Sequence, residues 1–196
     1  MADSERERFE YAGASGGFID ILGYPFCRGR ILSTTELDEG QYDDPREVFW
    51  ASGAAFACRA EVFKSEGGFD GEFFAHMEEI DFCWRAKLMG YHAWVVPQSK
   101  VYHVGGGTLP NNSPRKLYLN YRNNLLMLEN NLAKTFALMA YRRGDNSAKA
   151  AAKGIDKAGK RIAVRKCLDL MSAAVYLLTG RWECFKSVIK AHTAVR

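Results

Sequence analysis

The chain has 196 residues, 47% hydrophobic and 13% aromatic, which supports a packed core and excludes a disordered or low-complexity protein. Five scattered cysteines (Cys27, Cys58, Cys83, Cys167, Cys184) form no C-x-x-C pair, so neither a disulfide framework nor a zinc site is suggested, and reduced core thiols are expected. The net charge of +4 conceals a division: residues 141–196 carry 13 Lys/Arg against 4 Asp/Glu, a local +9, while the rest is mildly acidic at −5.

From the N-terminus, MADSERERFE is charged and has no apolar leader, so a secretory signal is not expected. The longest apolar stretch, Met171 to Leu178, falls far short of the roughly 20 residues of a spanning helix. A cytoplasmic protein is the expectation. Residues 1–46, rich in Gly, Asp and Tyr, read as surface loops with one or two short strands. Glu47 to Ala60 is apolar and small-residue-rich, and reads as a strand and turn.

The segment Glu78 to Met89 predicts a helix. Ile80, Cys83, Trp84 and Leu88 recur at helical spacing, Asp81 and Arg85 sit four apart, and Gly90 stands where a helix ends. Two strands are expected next, Tyr91–Val96 and Lys100–Val104, about a turn at Pro97, and then a sharp break at Gly105-Gly106-Gly107. That glycine run reads as a flexible turn or as an anion-binding nest. Beyond Pro114, leucines at helical spacing predict one or two helices through 115–140. The Ala/Lys/Gly-rich stretch 145–160 reads as a soft exposed helix or a linker, and 161–192 as two amphipathic helices broken near Thr179-Gly180.

The chemistry concentrates between Phe69 and Arg85. Glu78 and Glu79 stand at a helix N-terminus directly after an aromatic turn. There the dipole and the free backbone N–H groups hold a carboxylate ionised. Such a group suits a general base that takes a proton from a hydroxyl; plain helix capping is the alternative. Asp81 with Arg85 reads as an intrahelical brace.

The order of motifs adds a resemblance. Phe49-Trp50-Ala51-Ser52-Gly53, then Gly67-Gly68-Phe69-Asp70, then Glu78-Glu79-Ile80-Asp81-Phe82-Cys83-Trp84-Arg85, then Val101-Tyr102-His103 resemble the family 2 glycosyltransferases of the GT-A fold. The likeness runs closely over about residues 45–131. It implies an α/β fold: a partial GT-A, Rossmann-like sheet with flanking helices over 1–135, followed by a basic amphipathic helical tail over 136–196. It places Glu79 at the family's catalytic base, usually Asp, with Glu78 as a possible substitute. Ser52, Gly53, Trp50 and Asp81 fall in the substrate cleft. His103 matches a histidine that completes a metal shell, or is an ordinary strand-end histidine. Arg122 falls where it can reach a diphosphate, or lies on a solvated face.

The implied reaction moves a sugar from a nucleotide-sugar donor to a hydroxyl of a glycan or lipid-linked acceptor, with inversion and with Mg²⁺ or Mn²⁺. The family's D-x-D pair and its first nucleotide-binding strands have no counterpart here, so the cation's main ligands are expected to lie outside this chain. Exposed sheet edges then predict self-association. The basic tail is expected on an anionic inner membrane, with the protein peripheral to it. No nucleic acid is expected, since the basic residues are not interleaved with stacking aromatics. The competing expectation is a catalytically inactive truncated remnant that binds acceptor or membrane.

Overall fold

A computed structural model describes residues 7–9, 11, 15–103 and 113–195. They fall into two compact units. The first takes the described residues up to Gly71 together with 78–103; the second takes Glu72–Met77 with 113–195.

Short antiparallel strand pairs run through the first unit. β1 (Gly17–Ile19) pairs with β2 (Pro25–Cys27), β3 (Arg30–Ile31) with β4 (Thr34–Thr35), and β5 (Arg46–Val48) with β6 (Ala93–Val95). Asp20 makes the first turn, its Oδ1 accepting the N–H groups of Leu22 and Tyr24 at 2.8 Å each. Gly17 donates to the Trp50 carbonyl at 2.9 Å, and the Trp50 ring fills the space where a Cβ on residue 17 would stand. Only glycine fits there.

The chain is mixed α/β, as expected; among the described residues every strand pair is antiparallel, and a Rossmann-like sheet is not seen among them. The first two pairs close through short turns, while β5 meets β6 across residues 49–92. Residues 100–103 belong to no strand, although Lys100–Val104 was expected as one. Ser99 N–H bonds the Val96 carbonyl in a turn, and Lys100 reaches Asp38 at 3.2 Å instead of a ladder partner. Val104 and the run Gly105–Gly107 lie outside the described residues.

Helices α1 (Ala60–Ser65) and α2 (Glu78–Leu88) complete this unit. α2 is the helix the leucine and tryptophan spacing predicts. Its end is set by Gly90 at φ 93°: Gly90 N–H bonds Lys87 O at 3.1 Å and Tyr91 N–H bonds Ala86 O at 3.0 Å. These are the two bonds of a Schellman motif, which needs a left-handed residue at that point. The core is aromatic. Phe82 meets Phe56, Phe63 and Phe69 at centroid distances of 5.3–5.8 Å, and Trp84 meets Phe49 edge-on at 5.3 Å.

The second unit is helical: α3 (Pro114–Arg142), α4 (Ser147–Leu178) and α5 (Trp182–Ala194), packed on one another. Ser113 caps α3, accepting Lys116 N–H at 3.2 Å, with Pro114 opening the first turn. Asn146 caps α4 in the same way through Lys149 N–H at 2.9 Å. Gly144 and Gly180 close α3 and α4 with the same pair of bonds that Gly90 makes.

Residues 145–160 are therefore a largely exposed helix and not a linker. After Asn146 they form the first half of α4, burying Ala150, Gly154 and Ala158. A Cβ on Gly154 would collide with the Ala133 carbonyl and with Ala137, so two helix backbones approach closely here. The expected boundary between residues 135 and 136 falls inside α3. Leu125, Met127, Leu128 and Val188 are fully enclosed, but so are Asn123 and Asn131, and Asn124, Arg165 and Asp169 are nearly so. Arg165 Nε meets Asp169 Oδ1 at 2.9 Å inside this core, so one of the tail's cations is not on its surface.

Candidate functional site

Glu79 sits in the first turn of α2, where free N–H groups face its carboxylate. Its Oε2 is shut off from solvent and, among the described residues, has no hydrogen-bond partner; the same holds for Oε2 of Glu78. Burial, reinforced by the neighbouring Glu78 charge, raises the Glu79 carboxyl to about 7. Backbone N–H bonds from Glu79, Ile80 and Gly53 pull the other way and are outweighed. A carboxyl that titrates near neutrality with one unsatisfied oxygen is equipped to accept a proton.

The small-residue loop lies against this group. Ser52 caps the short turn Gly53–Ala55, its Oγ accepting Ala54 N–H at 3.3 Å. A Cβ built on Gly53 would lie 4.0 Å from the Cβ, Cγ and Cδ of Glu79. The fold thus brings Gly53 and Glu79, 26 positions apart, side by side. Cys83, one turn further along α2, is buried and has its thiol pushed up to about 11, chiefly by burial. That thiol stays protonated.

Other sequence-predicted residues are placed differently. Trp50 is a core residue, 5% exposed, whose indole N–H bonds the Phe18 carbonyl at 3.0 Å. Asp81 is fully buried and paired with Arg85 at 2.8 Å, and Arg85 continues to the carbonyls of Glu66 and Gly68. This brace fixes the turn ahead of α2. Arg122 uses Nη1 on the Glu72 carbonyl at 2.6 Å and on Asn123 Oδ1 at 2.9 Å. His103 is exposed at the end of a described segment. Among the described residues no group of three His, Cys, Asp or Glu side chains can hold a metal ion. A hard divalent cation needs several oxygen ligands, so these residues do not fit one.

The sequence reading missed a loop. In Glu72–Met77, three non-glycine residues have left-handed backbone: Phe74 at φ 61°, His76 at 72° and Met77 at 75°. Only one other non-glycine residue among those described does so. Asn123 holds the loop, with Nδ2 at 2.7–2.8 Å from the carbonyls of Phe73, Ala75 and His76. Its Oδ1, receiving Arg122, fixes which way the amide points. An asparagine inside a long helix was the available signal, since asparagine is a poor helix former and a buried one needs partners.

Comparison with known proteins finds similarity to a glycosyltransferase over part of the chain. The chain is 33% identical over 88 residues to N-acetylglucosaminyl-diphospho-decaprenol L-rhamnosyltransferase of Mycobacterium tuberculosis, in each of two strains. Those residues make up 45% of this chain and 28% of the relatives' length. No family model matches the chain, and no solved structure does.

Proposed function

We propose that this chain carries the acceptor-activating part of an inverting sugar transferase, with Glu79 as the general base. The carrying observation is the Glu79 carboxylate, raised to about 7 and unsatisfied at Oε2 beside Gly53. In the proposed step, Glu79 removes the proton of an acceptor hydroxyl. The oxygen bonds to the donor's anomeric carbon while the bond from that carbon to the nucleoside diphosphate breaks, and the diphosphate leaves with the electron pair from the opposite face. Gly53, lacking a side chain, leaves room for a sugar beside the base. Glu78 adds negative charge that keeps Glu79 basic.

The relatives are named for a lipid-linked diphosphate sugar acceptor, and we carry that class of acceptor to this chain, with a nucleotide-sugar donor. The donor's divalent cation is proposed to draw on ligands other than the described residues, and no step here runs through it. Among the described residues no helix is long and apolar enough to cross a membrane. Residues 141–196, at +9, are proposed to rest on an anionic membrane surface, where such an acceptor resides.

Glu79→Gln should abolish sugar transfer and leave donor binding close to normal. Because the base must be ionised, wild-type transfer should rise as pH passes upward through about 7. Retained turnover in the variant defeats the assignment.

A further inference from the structure

Phe74 is the unusual residue of the Glu72–Met77 loop. It is 70% exposed, on a backbone that side chains disfavour, in a loop that three bonds from one buried asparagine hold in shape. Left-handed backbone at non-glycine residues persists where surrounding structure enforces it, and such places gather at binding and catalytic sites. Burial gives no reason to present this ring: its neighbour Phe73 is fully enclosed, while Phe74 is turned out. The Arg115 guanidinium lies over the Phe74 ring, 5.4 Å from its centroid. Arg115 is itself exposed and has no carboxylate partner among the described residues. An exposed aromatic ring and an exposed guanidinium stand side by side here, an apolar surface next to a forked cation.

We propose that Phe74 and Arg115, held out by the Asn123-anchored loop, bind a sugar that carries a phosphate. The ring would take the apolar C–H face of the pyranose. The guanidinium would take the phosphate oxygens, to which its planar fork is matched. Neither half serves alone, since a lone exposed ring or a lone exposed arginine has little to distinguish ligands. The inference deepens the transferase reading by naming which part of the chain recognises a glycosyl phosphate.

The test is an NMR shift titration of the 196-residue chain with N-acetylglucosamine 1-phosphate, and with N-acetylglucosamine and inorganic phosphate separately. The glycosyl phosphate should bind and shift the amides of residues 73–77, at least tenfold more tightly than either fragment. Phe74→Ala and Arg115→Ala should each weaken binding tenfold or more without lowering the melting temperature, because both side chains are exposed. Asn123→Ala should weaken it too, through the loop, with Phe74 and Arg115 intact. Normal binding in the first two variants overturns the proposal, as does a wild-type chain that ignores the glycosyl phosphate or binds inorganic phosphate equally well.

Geranyl diphosphate and uridine diphosphate as competitors separate a lipid-carried from a nucleotide-carried sugar. Displacement by either supports the phosphate half of the receptor, and displacement by neither overturns it. The base assignment fails separately. If Glu79→Gln still transfers sugar while Phe74→Ala loses binding, the base falls and the receptor stands. If Glu79→Gln is inert while Phe74→Ala binds normally, the receptor falls and the base stands.

Discussion

Phe56, Phe63, Phe69 and Phe82 meet ring to ring at 5.2–5.8 Å in the first unit, with the Arg85 guanidinium 5.6 Å from the centre of the Phe82 ring. In the second, Asn123, Asn124, Asn131, Arg165 and Asp169 lie buried inside three long helices. The contrast is one of direction. Aromatic rings gain most of their stabilisation from area removed from water, which tolerates small displacements. Buried amides and ions stabilise only with their partners in place, and each broken pair leaves an unsatisfied group behind. A unit of two- and three-residue strands, with little regular hydrogen bonding, is held by this ring cluster beside an ion pair, buried Asp81 with Arg85. Long capped helices satisfy their own backbone, and so can accommodate buried amides and ions.

The comparison can be broken most sharply at the two cores. Phe82→Ala should cost about 3–5 kcal/mol in urea unfolding, the loss expected for emptying a buried aromatic site. Asp169→Ala should cost a similar ~3–5 kcal/mol by stranding Arg165 in the core. The distinction lies in rescue: replacing Arg165 and Asp169 together by Met and Leu should recover most of that loss. No recovery in the double variant would mean that the pair contributes more than mutual neutralisation.

Next in size is the close helix approach. Gly154→Val should cost about 1–3 kcal/mol, because its side chain must displace Ala133 and Ala137. An unchanged melting curve would show that α3 and α4 can separate without penalty.

Acid–base behaviour should then divide the two units by sign. Glu79 holds its proton more tightly in the fold, at about 7, than at its ordinary value of 4.5. Between those values the folded state binds more protons than the unfolded one, so stability falls as pH rises through this window. Glu79→Gln should remove that fall and stabilise the protein above pH 7 by on the order of 2 kcal/mol. His192 behaves oppositely. Burial lowers it below 6.5, against the pull of Asp169, whose Oδ2 is 3.4 Å from its Nε2. Below about 6.5 the unfolded state binds the extra proton, so stability falls as pH drops. His192→Gln should flatten the acid limb of a urea-midpoint profile, and an unaltered limb would assign acid loss elsewhere.

The smallest effect belongs to a surface cap. Ser113→Ala should cost about 1 kcal/mol, read as fraying of the first turn of α3 by hydrogen exchange.

Much of the helical unit and of α2 was legible from the chain because the signals are local. Ile80, Cys83, Trp84 and Leu88 mark one helix face, and Gly90 and Gly180 mark stops within a residue or two of where the bonds end. For the stretch 145–160 composition left an exposed helix or a linker open; the helix is what forms, and only the fold shows that Gly154 lets a neighbouring backbone in. Residues 100–103 form no strand, because strand identity depends on a partner far along the chain. Motif order places Trp50 in a substrate cleft; only the fold shows its ring packed against Gly17.

What the sequence determined by itself is the position of an acidic pair at a helix start, the helices that cap and end themselves, and the charge of the tail. All of these follow from contacts three or four residues apart and from composition. The tertiary structure alone decided that Gly53 meets Glu79, that burial brings this carboxyl near neutrality, and that Asn123 grips three carbonyls some 50 residues away. Desolvation and long-range hydrogen bonds depend on which distant segments pack together, and periodicity carries no record of that.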